Sequence, residues 1–146
     1  MKLSLQHAVR HALWAQTAWA LLSAVWNLAG IALQAWGQKA LGPSPTLIGF
    51  TLAIGFVVAL WLAVERSPFI NAVLTSAAGL LGLAAALKPF TADPALWASQ
   101  SLRYAGATLN AVGFIAAGFA MSAFINWSDR VSKWQHPTPA HKEDCV

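Results

Sequence analysis

The sequence predicts an all-α fold: an integral membrane four-helix bundle of four transmembrane helices, with both ends in the cytoplasm. Three observations predict it. Only 10% of the 146 residues are charged while 58% are hydrophobic, against about 25% charged in soluble globular domains. The charges are segregated, since no Asp, Glu, Lys, Arg or His occurs in residues 13–38, 40–64, 67–87 or 104–128. Each of these stretches reaches the ~20 residues that cross a hydrocarbon core about 30 Å thick. None offers the charged outer face that a soluble core helix turns to water.

Span one is expected over residues 12–36, after a short amphipathic lead-in, MKLSLQHAVRH. The apolar run is too long for the 7–15 residue core of a cleaved signal peptide, so the span is expected to be retained. Trp14 and Trp36 lie 22 residues apart, about 33 Å along a helix at 1.5 Å per residue. That separation matches the two aromatic belts of a bilayer. The Gly- and Pro-rich segment GQKALGPSP, residues 37–45, reads as a connection. Span two is expected over residues 46–64 and ends in the polar turn Glu65-Arg66-Ser67-Pro68. Ser67 is placed to cap span three, and proline suits the first helical position. Span three should run over residues 68–87 and stop at Lys88-Pro89, because the residue before proline avoids helical backbone. Asp93-Pro94 reads as another cap-plus-proline start, predicting a short interfacial helix over residues 95–103 that carries Trp97. Span four is expected over residues 104–127. Residues 1–127 thus form one transmembrane domain, and the polar residues 128–146 a solvated cytoplasmic tail.

Orientation follows from the cationic residues. With the N-terminus inside, Lys2, Arg10, Arg66, Arg130, Lys133 and Lys142 are cytoplasmic, while Lys39, Lys88 and Arg103 lie opposite. The bias places both termini in the cytoplasm, in keeping with a multi-pass protein of a cell inner membrane. The net charge of +4 is accounted for in the same way. The basic residues sit singly at span ends and form no patch of the kind a nucleic-acid partner requires.

Within span one, Gln16, Ser23, Asn27 and Gln34 follow at steps of seven, four and seven and so share one helix face. Ala20 and Gly30 join them, with Trp14 and Trp36 on the opposite side. Asn71, Thr75, Ala78, Gly82 and Ala85 line one face of span three, and Gly106, Asn110, Gly113, Ala117 and Ala120 one face of span four. Small residues let helix backbones approach, and amides and hydroxyls bond across the gap. The amides Gln16, Asn27, Gln34, Asn71 and Asn110 are therefore read as packing groups, with a pathway for a polar solute as the alternative. Trp19 and Trp26, seven apart on one flank of span one, read as a ridge that docks another subunit or meets lipid. Ile54-Gly55-Phe56 and Glu65-Arg66 in span two are echoed by Ala117-Gly118-Phe119 and Asp129-Arg130 in span four; the echo is read as chance among Ala/Gly/Phe-rich spans, with a duplicated helical hairpin as the alternative.

The function classes narrow mainly by exclusion. An ion-coupled transporter places ionisable groups inside the membrane, and these spans hold none. No Gly-rich phosphate loop or nucleophile elbow is present, so no enzyme and no cofactor is expected. The lone cysteine, Cys145, has no disulfide or metal-binding companion. His7 and His11, spaced i,i+4, make an incomplete ligand pair that only His136 and His141 of the tail are placed to complete. What remains is a non-enzymatic accessory or interaction protein: a subunit, an assembly factor or an immunity-type protein. Its partners would be the lipid bilayer and another membrane protein or a copy of itself. The alternative is a small passive channel or carrier working as a homo-oligomer.

Overall fold

The computed structural model describes the backbone of residues 2–43 and 45–135, and side chains over residues 7–43, 45–64, 66–67 and 69–126. The described chain is all-helical: α1 (Lys2–Ala35), α2 (Leu47–Arg66), α3 (Pro68–Thr91) and α4 (Gln100–Gln135), with one 3-10 turn at Pro94–Leu96. All four α-helices are long and apolar enough to cross a membrane. At 1.5 Å per residue α2 is about 30 Å long and α1 about 51 Å, so α1 and α4 both outreach the hydrocarbon thickness.

Local chemistry sets the ends. Gly37 takes φ +72, and Gln38 N donates to Leu33 O (2.9 Å) while Gly37 N donates to Gln34 O (3.0 Å), the Schellman closure that glycine permits after a helix. Thr46 caps α2, its Oγ1 accepting from Gly49 N at 3.0 Å. Ser67 ends α2 and starts α3: its N donates to Ala63 O and its Oγ accepts from Ile70 N, with Pro68 at the start of α3.

Three boundaries correct the sequence expectation. Pro89 does not stop α3, which runs two residues past it to Thr91. The last turn keeps the ordinary bond from Ala92 N to Lys88 O (3.0 Å) and gains two from side chains: Arg103 Nε donates to Pro89 O and Thr91 Oγ1 to Lys88 O (3.3 Å). The interfacial helix expected over residues 95–103 is replaced by the three-residue 3-10 turn, because Ser99 provides the stronger start. Its Oγ accepts from Leu102 N at 3.2 Å, and α4 begins at Gln100, drawing Arg103 into its first turn. α4 also continues past Trp127 to Gln135, through residues assigned to the tail; residues 136–146, with His136, His141 and Cys145, lie outside the described residues.

The helices form a ring in chain order, each antiparallel to its neighbours, with α4 returning against α1. Ala and Gly do most of the packing. A Cβ on Gly79 would sit 3.1 Å from Ala117 Cβ, and one on Gly82 would sit 3.2 Å from Asn110 O, so α3 and α4 meet at nearly backbone distance. One end of the bundle is closed by Ala12, Leu13, Leu60, Ala120 and Phe124. Most of the other large aliphatic and phenyl side chains lie outside: Leu52 is 66% exposed, Leu80 and Leu81 68%, Phe119 70%.

Candidate functional site

Just inside the closed end, the three largest fully buried polar side chains meet. Gln16, Asn71 and Thr75 are wholly buried, contributed by α1 and the first two turns of α3. Thr75 Oγ1 lies 3.4 Å from both Gln16 Oε1 and Asn71 Oδ1. Asn71 Nδ2 donates to Leu60 O of α2 at 3.2 Å. Beside them, Trp61 Nε1 donates to Thr17 Oγ1 at 3.0 Å, and Trp61 stands edge-on to Trp14 with centroids 5.3 Å apart. Three helices are thereby tied by hydrogen bonds that have no competition from water, the condition in which an unmade bond is most costly.

Along α1 toward the other end, the polar stripe changes character. Gln16 Nε2, Trp19 Nε1 and Ser23 Oγ are buried with no hydrogen-bond partner among the described residues. Asn27 is spent on backbone, its Nδ2 donating to Ser23 O (2.9 Å) and its Oδ1 accepting from Thr46 N (3.3 Å) at the head of α2. Asn110 folds back on its own helix, Nδ2 to Gly106 O at 2.8 Å. Gln34 is exposed at the end of α1. Of the six polar residues singled out in the sequence, the structure brings Gln16 and Asn71 into one cluster, sets Ser23 and Asn27 further along the same inner face, places Asn110 across from Asn27 on α4, and leaves Gln34 outside.

The tryptophan ridge is corrected outright. Trp19 and Trp26 point into the bundle, against glycines of α4. A Cβ on Gly113 would collide with Trp19 Cε2 and Nε1 and come within 2.6 Å of Cδ1, and one on Gly106 would lie 3.5 Å from Trp26 Cζ2. Trp19 also meets Phe56 edge-on, centroids 6.3 Å apart. The outward tryptophans of span one are Trp14 and Trp36, 55% and 75% exposed.

At the open end the loops and helix termini enclose a recess of about 200 Å³ whose walls include Trp26, Asn27, Lys88, Trp97 and Asn110. Trp97, predicted for a membrane interface, is only 5% exposed. Arg103 stands over its ring at 5.9 Å, while Gly42 passes between the two indoles, its absent Cβ 3.4 Å from Trp97 Nε1 and 3.7 Å from Trp26 Nε1. Thr17, the burial of Trp97 and this recess escaped the sequence reading. Thr17 sits beside Gln16 on an otherwise ordinary face, and the recess joins residues from α1, α3, α4 and two connections that no spacing relates.

His7 and His11 stack with centroids 6.4 Å apart, and no group of three or more metal-ligating side chains occurs among the described residues. The fold and site together define an all-helical bundle of four membrane-capable helices with an internal polar seam. Compared with known protein families, curated proteins and solved structures, the chain matches none.

Proposed function

We propose that this chain is an integral multi-pass protein of a bacterial-type inner membrane, acting without catalysis as an accessory or interaction subunit through helix packing. The observation that carries the reading is the reversal of inside and outside. Apart from Leu13, Leu60, Phe124 and a few tryptophans, the interior is Ala, Gly, Gln, Asn and Thr, while most Leu, Ile, Val and Phe cover the surface. In water such a surface would be an aggregation hazard; in lipid it is the expected outer layer, and small residues with interhelical hydrogen bonds are the expected core. The amides support packing over transport, because Asn27, Asn71 and Asn110 all spend donors on backbone carbonyls. The positive-inside bias puts both termini in the cytoplasm.

The test is a pull-down of the tagged full-length chain from native membranes in mild detergent, read by native mass. A distinct polypeptide in fixed ratio supports the accessory role; a lone monomer or a homo-oligomer counts against it. A second reading, a passive conduit for a polar solute, draws on the file of unpartnered atoms at Gln16, Trp19 and Ser23. Asn27→Leu separates the two in liposomes: lost flux with retained fold favours the conduit, and lost fold favours packing.

A further inference from the structure

We infer that the recess at the open end binds an anionic head group, a phosphate ester of the size carried by a lipid. The inference rests on the membrane reading only for the lipid as source of that group. Its chemistry is donor-rich. Lys88 reaches the rim from the last turns of α3, and the indole N–H groups of Trp26 and Trp97 flank Gly42 from two sides, with no acceptor for either indole among the described hydrogen bonds. Among the described residues, no acidic side chain lines the recess. Arg103, held by Pro89 O and stacked over Trp97, adds a second positive charge behind the aromatic wall. A cationic occupant would face both charges; an anion is attracted by both, and a charge-assisted hydrogen bond to Lys88 is among the stronger contacts a recess can offer.

The walls are built to hold this shape. Trp97 is buried although it belongs to a connection with only one 3-10 turn, and three glycines accommodate its neighbours: Gly42 under the indoles, Gly106 against Trp26, and Gly30 against Pro45, where a Cβ would lie 2.7 Å from Pro45 Cβ. Asn110 and the Ala85 backbone, whose carbonyl lacks the usual fourth-residue donor because that residue is Pro89, supply acceptors for the hydroxyls of a glycerol-type ester. About 200 Å³ is below the 300–1,000 Å³ of drug-sized sites, so a head group fits and a large solute does not. The recess lies at the ends of the spans, where Lys88 and tryptophans meet the head-group layer.

The experiment uses the full chain, purified in mild detergent and delipidated. Native mass spectrometry reads retention of phosphatidylglycerol against phosphatidylcholine, and calorimetry reads binding of glycerol 3-phosphate with no bilayer present. Lys88→Gln and Lys88→Glu are compared with Arg10→Gln at the opposite end, with helicity checked by circular dichroism. The expected result is preferential retention of one phosphatidylglycerol, reduced at least five-fold by Lys88→Gln, abolished by Lys88→Glu and unchanged by Arg10→Gln. Lys88-dependent binding of glycerol 3-phosphate alone would uphold the site and assign it a soluble ester. Equal retention of both lipids with no binding of glycerol 3-phosphate, or losses that Arg10→Gln reproduces, would overturn it. Carbonate extraction of native membranes separately reports whether the membrane reading itself has failed.

Discussion

Gly113 offers a sharp test of how α1 and α4 meet, because its missing side chain is occupied by the Trp19 indole. Alanine at an unobstructed helix position is favoured over glycine by about 1 kcal/mol. Gly118, on the same helix and with nothing within 4 Å of its would-be Cβ, should show that gain. At Gly113 the same methyl displaces a packed indole, and forcing a methyl into a filled core costs about 1–3 kcal/mol. Gly113→Ala should therefore be less stable than Gly118→Ala by about 1–3 kcal/mol. The penalty should vanish when Trp19→Ala is present, so the double variant will be more stable than the sum of its single changes by about the same 1–3 kcal/mol. Unfolding in mixed micelles, titrated with SDS and followed by circular dichroism, measures all four proteins. Equal stabilities for the two glycine variants, or simple additivity with Trp19→Ala, would refute the inward placement of Trp19 and restore an outward tryptophan ridge.

Two further outcomes follow from the polar seam and are read in the same titration. Asn71→Leu removes the bond to Leu60 O and a partner of Thr75; at about 0.6 kcal/mol per intramembrane bond and rarely above ~1.7, it should destabilise by about 1–3 kcal/mol, and a neutral result would contradict its role as a tie. Ser23→Ala removes a buried hydroxyl that has no partner among the described residues, so it should be neutral or stabilising by up to about 1 kcal/mol; clear destabilisation would show that the hydroxyl is in fact bonded.

The helices were readable because their signal is repeated over many residues: four uncharged runs, each punctuated by Gly, Pro or a capping residue. Facing was readable where the stripe consists of small and polar residues, as in Asn71–Thr75–Ala78–Gly82, all of them buried in the bundle. It was not readable for tryptophan. Trp14 and Trp36 obey the interfacial rule, whereas Trp19, Trp26 and Trp97 are placed by glycines on other elements, and complementarity between a large side chain and a distant glycine leaves no local pattern. Pro89 misled for a related reason, since its helix is completed by Arg103 from fourteen residues away. The candidate site was half visible: Gln16 and Asn71 stood out as amides in apolar runs, but that they share Thr75, and that Gln34 stays outside, depends on how α1 meets α3.

The most direct test of the account is the sidedness of its ends and loops, and the chain's single cysteine, Cys145, makes it practical. Membrane-impermeant maleimide should label Cys145 in inverted inner-membrane vesicles and not in intact spheroplasts. With Cys145→Ser as background, Asp93→Cys in the α3–α4 connection should show the opposite pattern, and both proteins should stay with the membrane in alkaline carbonate. Labelling of both positions from the same side, or release of the chain by carbonate, would contradict the four-span bundle.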